Sequence, residues 1–150
     1  MHQNEFIETE RGITDADLDD VERSFHFTFP KEVRNHYLRY NGGSPSKYLF
    51  NKDGTIFVVH EFLPVKHGKH LFEESFRNLK IEPSVLPKHL VAFATDAGGD
   101  YFCFSVRDND AGSIWIYRGD YSDEPDRAVQ FLADSLNEFL EGMEADEEAG

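Results

Sequence analysis

Phe93 to Val106, FATDAGGDYFCFSV, constrains the fold more than any other stretch of the chain. Two strand-like runs flank the turn Ala97-Gly98-Gly99-Asp100. The second run alternates, with Phe102, Phe104 and Val106 on one face and Tyr101, Cys103 and Ser105 on the other. Ile114 to Tyr117 is spaced to pair with it after the turn Asp108-Asn109-Asp110-Ala111-Gly112. The expectation is a central antiparallel sheet with helices packed against it.

The flanking sequence supplies those helices. Ile13 precedes Thr14, which caps a helix, and Asp17 fills the third helical position for a short-armed capping box. Leu18, Val21 and Phe25 then recur at helical spacing. Phe29-Pro30 opens a second helix, with proline in its first turn, Val33, Tyr37 and Tyr40 along one side, and Asn41-Gly42-Gly43 as the stop. Tyr48–Phe50 and Thr55–Phe62 read as a hairpin joined by Asn51-Lys52-Asp53-Gly54. Pro64 to His70 reads as loop, and Leu71 to Leu79 as holding a short helix with Phe72, Phe76 and Leu79 on one side. Pro83 and Pro87 frame the approach to a strand near Leu90. The spacing of Ala128, Leu132, Ser135, Leu136, Phe139 and Met143 predicts one closing helix from about Asp126 to Met143, with Asp126 as its cap.

These signals give a single α+β domain at 13–143, a flexible lead-in at 1–12 and an acidic disordered tail at 144–150. A chain of 150 residues with 14 phenylalanines buries a sufficient core without a covalent staple. One cysteine excludes an internal disulfide, and Cys103, within a strand, reads as a small buried hydrophobe. No apolar run reaches membrane-spanning length and the first residues are polar and acidic, so the expectation is a cytoplasmic protein. The net charge of −14 disfavours contact with nucleic acid, whose phosphates need cationic partners, and favours a basic protein partner through steering.

The sequence holds little that reads as catalytic. His67-Gly68-Lys69-His70 has two imidazoles three apart, yet the glycine opposes a helix and no cysteine or glutamate completes a site. Asp108 to Gly112 has its glycine one position too early for a calcium loop, and Gly119 stands where the closing glutamate belongs. Asp96 and Asp100 bracket the Gly98-Gly99 turn and are weighed as turn contacts, as partner-binding acids, or as an acid–base pair. Glu22, on an otherwise apolar helical face, is expected to make a buried hydrogen bond or salt bridge, with the backbone near Asn41 to Gly43 as a candidate hydrogen-bond partner, and contact with a binding partner is the alternative.

Four landmarks in order resemble the SMI1/KNR4, or SUKH, family. They are the Ile13-Thr14 cap with Phe29-Pro30 and Tyr40-Asn41-Gly42-Gly43, then Phe93 to Asp100, Ser113 to Tyr117, and Leu132 to Leu140. The resemblance spans roughly residues 13 to 141. It implies a largely antiparallel sheet flanked by N-terminal helices and a C-terminal helix. It also implies a protein-binding module with no catalysis and no cofactor. The bacterial branch of the family implies an immunity protein whose partner is a cognate toxin domain, basic nuclease toxins among them. An intracellular regulatory adaptor is the alternative, and a small metal-assisted hydrolase using Asp96 and Asp100 a further one. Loop placement and charge single out Tyr48, Asp96, Asp100, Tyr117 and Asp120 as the expected partner-binding residues.

Overall fold

In the computed structural model, residues 2–81 and 85–147 are described. Helix α1, Asp15–Phe25, begins at Thr14. The Thr14 hydroxyl accepts from the Asp17 N–H at 3.3 Å while the Asp17 carboxylate accepts from the Thr14 N–H at 3.0 Å. That reciprocal pair satisfies two donors that a helix start leaves orphaned. The Thr14 N–H, helped by Lys66, holds the Asp17 carboxyl down to about 2. Leu18 and Val21 are buried and Phe25 is half-buried. Helix α2, Lys31–Arg39, buries Val33, His36 and Tyr37. Pro30 stands at its N-cap, one step before the expected place in the first turn.

Helix α2 ends not at a left-handed residue but at Tyr40 in extended backbone, and the turn after it passes through Gly42 and Gly43, both at positive φ. A side chain at Gly43 would place Cβ 2.6 Å from the Ile7 carbonyl oxygen. Only glycine lets the N-terminal segment pass so close. There β1, Phe6–Ile7, pairs antiparallel with β2, Ser44–Pro45. Residues 2–12 carry no apolar period and read as a loose lead-in, yet His2, Asn4 and Phe6 are buried. Side-chain hydrogen bonds anchor this arm. The Asn4 carboxamide donates to the Lys47 carbonyl at 2.7 Å and to the Leu140 carbonyl at 3.3 Å, and accepts from the Lys47 N–H at 3.0 Å.

The main sheet is a six-stranded antiparallel meander. Its strands are β3 (Leu49–Lys52), β4 (Thr55–Phe62), β5 (Leu90–Asp96), β6 (Tyr101–Ser105), β7 (Ile114–Tyr117) and β8 (Val129–Ala133), hydrogen-bonded in that order. Between β3 and β4 the register pairs Lys52 with Thr55, leaving Asp53-Gly54 as a two-residue turn with both φ positive. Helix α3, Phe72–Phe76, continues into a π-type turn over Arg77–Ile81. Pro83 lies outside the described residues.

The expected closing helix is three elements instead. A short turn of helix, α4 (Pro125–Ala128), precedes β8, and α5 (Leu136–Glu141) follows it. Val129 to Ala133 fits a helical stripe in sequence, but β7 would otherwise be left with an unpaired edge. Pairing of Tyr117 with Val129 and of Trp115 with Phe131 satisfies it. Ser135 therefore does not face inward on a long helix. Its hydroxyl caps α5, accepting from the Glu138 N–H at 3.1 Å. Asp126 is not a cap, since Glu124 precedes α4 and makes no side-chain capping bond.

The two faces of the sheet are closed differently. On the first, Phe104 meets Phe27 and Phe29, ring centroids 6.3 and 6.0 Å away, and Phe102 meets Phe139 of α5 at 5.5 Å. Phe29 in turn reaches Tyr37 of α2 and Phe72 of α3. On the second, over β5 to β7, Cys103 is fully buried, and burial pushes its thiol up, so it stays protonated. That is the buried hydrophobe expected of a cysteine in this strand. The connection at 85–89 covers this side, with Leu86 buried and His89 edge-on to Trp115. Lys80 fastens the connection by donating to the carbonyls of Pro87, Lys88 and Leu90 at 3.3, 2.8 and 2.7 Å.

Candidate partner-binding surface

Asp96, at the end of β5, uses one carboxylate oxygen to accept from the Gly98 N–H at 2.9 Å and the Asp100 N–H at 2.7 Å. This shapes the turn that re-enters the sheet at β6. The Asp100 carboxylate leaves the turn and accepts from the Gly119 N–H at 3.1 Å. The β5–β6 turn is thereby tied to the segment that follows β7. Asp120 lies beside Gly119 in a one-turn helix and is exposed. Asp96, Asp100 and Asp120 are consequently gathered at one end of the sheet.

Tyr117 is only 5% exposed, so it supports this end from within. It pairs in register with Tyr101, and burial pushes its hydroxyl up. Tyr48 is half-buried on the neighbouring side, where its hydroxyl donates to Asp146 at 2.7 Å. Beside Tyr48 runs a groove of about 270 Å³ whose lining includes Ile7, Pro45, Val58, His60 and Ala97. Because Ala97 belongs to the β5–β6 turn, the groove and the acidic end adjoin.

The tail takes part in this wall. Glu144 exchanges backbone bonds with Leu49, at 2.8 and 3.2 Å, covering the outer edge of β3. Tyr48 to Asp146 is the next contact along. Residues 148–150, the end of the expected disordered tail, lie outside the described residues.

The remaining candidates resolve as structural contacts. Glu22 accepts from the Phe29 N–H at 2.8 Å and pairs with Arg34 at 3.0 Å, so its partner is the link between α1 and α2 and not the turn at 41–43. That turn is held by Asn41 itself. Its buried carboxamide donates to the carbonyls of Arg11 and Val65 at 2.9 and 2.8 Å and accepts from the Val65 N–H at 2.7 Å. Asp110 accepts from the Ser105 hydroxyl at 2.6 Å and is paired with Arg107, which holds its carboxyl below the usual range. His67 and His70 lie in the loop between β4 and α3. Among the described residues no group of three or more His, Cys, Asp or Glu side chains is placed to hold a metal ion, and no helix is long and apolar enough to cross a membrane.

Two further features escaped the sequence reading. The imidazoles of His2 and His36 are buried against each other, Nε2 to Nδ1 at 3.1 Å, at the wall of a cavity of about 160 Å³ shared with Glu32, Arg39 and Asn137. Arg118 and Arg127 both lie over the ring of Tyr121, 6.0 and 4.1 Å from its centroid. The one available signal for the first was the alternation of His2, Asn4 and Phe6 with Gln3 and Glu5, a period of two without hydrophobic contrast.

No curated protein matches the chain. Residues 12–142 match the SMI1 / KNR4 family (SUKH-1). That span runs from just before the capped start of α1 to the end of α5, so it takes in the helices, the whole meander and the acidic end of the sheet. The chain belongs to the SMI1 / KNR4 family (SUKH-1), a non-catalytic protein-binding scaffold.

Proposed function

We propose that this protein is a cytoplasmic immunity protein that neutralises a cognate secreted toxin by stoichiometric binding. The observation that carries the reading, beside family membership, is the gathering of Asp96, Asp100 and Asp120 at one sheet end through the Asp100–Gly119 bond. In a chain of net charge −14, that end presents a rigid acidic edge to a basic toxin domain, a basic nuclease among the candidates. Tyr48 contributes an aromatic contact at the adjoining groove, and Tyr117 holds the strand end beneath Asp100. Inhibition follows from occlusion, with the acidic edge seated over the toxin's cationic active or substrate-binding face.

The test is co-purification with the polypeptide encoded next to this chain, scored for a one-to-one complex and for protection from its toxicity. Asp96→Asn and Asp100→Asn remove charge while keeping an acceptor oxygen for the turn, and Asp120→Ala removes charge where no turn bond depends on it. Together they should slow association about tenfold at low salt and much less at high salt. Association that ignores both the substitutions and the salt rejects the acidic edge as the docking face. A neighbour that neither binds nor is neutralised rejects the immunity reading in favour of a regulatory adaptor.

A further inference from the structure

The second face of the sheet is covered over β5 to β7 but not over the β3–β4 hairpin. Leu49 and Val58 are register partners on that face, as are Asn51 and Ile56. Phe57 and Val59 on the opposite face are buried, so this stretch of β4 carries apolar residues on both faces in place of the usual polar exterior. Ile56 is 48% exposed, and Ile7, on the adjacent arm, is 56% exposed. Tyr48, Val58 and Ala97 join Ile7 along one groove, and Ile56 stands two residues before Val58 on the same face of β4. Apolar side chains presented together in this way mark an interaction surface.

The rim fixes the chemistry of the occupant. Glu8 follows Ile7, Asp96 precedes Ala97, and Glu144 and Asp146 flank the Leu49–Tyr48 edge through the bonds described above. Lys47 is the cation beside them, and His60 lines the groove itself. We infer that this patch takes an aliphatic or aromatic anchor of a protein partner, presented between lysines or arginines. The hydrophobic anchor supplies affinity and the acidic rim supplies orientation. The inference deepens the binding reading above and rests on it only in that the protein acts by holding another protein.

The probe is the capped hexapeptide Lys-Arg-Leu-Phe-Arg-Lys, titrated into the 15N-labelled full chain. Two controls accompany it, one with Ser-Ser in place of Leu-Phe and one with glutamates in place of the four cations. The expected result is amide shifts confined to Ile7, Tyr48, Ile56, Val58 and Ala97. Binding should weaken about tenfold or more with Ser-Ser, as loss of a buried large apolar side chain implies, and vanish with glutamates. Val58→Asp should abolish the shifts while the thermal midpoint stays within a few degrees of the parent. Equal binding of the Ser-Ser peptide, shifts centred elsewhere, or no binding at millimolar peptide overturns the inference. Shifts at the patch without toxin protection would retain the patch and remove the immunity reading. Protection without shifts would do the reverse.

Discussion

The two faces of the sheet use the same strands and similar residues, yet one is sealed by rings and the other by backbone. On the first face Phe102 lies against Phe139 of α5 and Phe104 against Phe27 and Phe29 of the link between α1 and α2, with Phe29 backed by rings of α2 and α3. On the second a single ammonium, Lys80, pins a connecting segment across β5 to β7, and the hairpin beyond it stays open. Aromatic packing on one side therefore leaves the other side free to carry exposed apolar residues without loss of the fold. Stability and recognition are separated across one layer of strands.

The sharpest way to break that comparison is Phe104→Ala against Val58→Asp. Phe104 is fully buried, so its truncation should cost about 3–5 kcal/mol by chemical denaturation. Val58→Asp, on the open face, should cost about 1 kcal/mol or less. Similar losses from the two would mean that the open hairpin face contributes to the core after all.

Asn41→Ala comes next. It leaves the Val65 N–H and the carbonyls of Arg11 and Val65 without their partner in a buried turn, at about 2–4 kcal/mol. Amide exchange should accelerate at Val65 and along residues 10–12 while the β5–β6 centre stays protected. Uniform acceleration instead would show that the arm and the sheet open as one unit.

Acid should act on the arm selectively and, for each pH unit, more gently. Burial, with the neighbouring His2 and Arg39, holds His36 down to about 3, and burial first, then Arg39, lowers His2 as well. Both imidazoles are neutral when folded and take up protons more readily when unfolded. The contribution of His36 to stability is thus complete above about pH 6.5 and is lost as pH falls towards 3, by about 1.4 kcal/mol per pH unit in that range, and His2 adds to the loss in the same direction. His36→Phe should flatten the slope. The arm carries Ile7, so apolar peptide binding should fall with pH alongside stability. A slope unchanged by His36→Phe would assign the acid sensitivity to other groups.

Much of the fold is legible in the sequence because its signals are local. Thr14 and Asp17 cap α1 through bonds three residues apart, Gly42 and Gly43 supply the positive φ of the turn that follows α2, and the alternation from Tyr101 to Ser105 is that of β6. The misread segment is one where two periods coincide. Val129 to Ala133 fits a helical stripe, and only the edge of β7, a distant fact, makes it a strand. Ser135 and Glu138 stand at the spacing of a helix start, but the longer apolar stripe runs across them and hides it. The arm was missed for a different reason, since His2 and Asn4 are buried by hydrogen bonds to partners more than thirty residues away. For the candidate surface, charge and loop position led to Asp96, Asp100 and Asp120, while the burial of Tyr117 depends on Tyr101 and the second-face cover. The open hairpin face could not be read from composition, because Ile56 and Val58 look like core residues until the cover over β5 to β7 is seen to stop short of them.

The Asn4 carboxamide lies 3.6 Å from the sulfur of Met143. Two positions 139 residues apart are thus neighbours, and the path of the backbone is almost a closed ring. A few residues of flexible linker would join them, and new ends could be cut in the Asp108 to Gly112 turn on the far side of the meander. With His2, Glu144 and Asp146 kept inside the join, such a permutant should keep its arm, its groove and its acidic edge, and would place its free ends at that turn for attachment to a surface or a reporter.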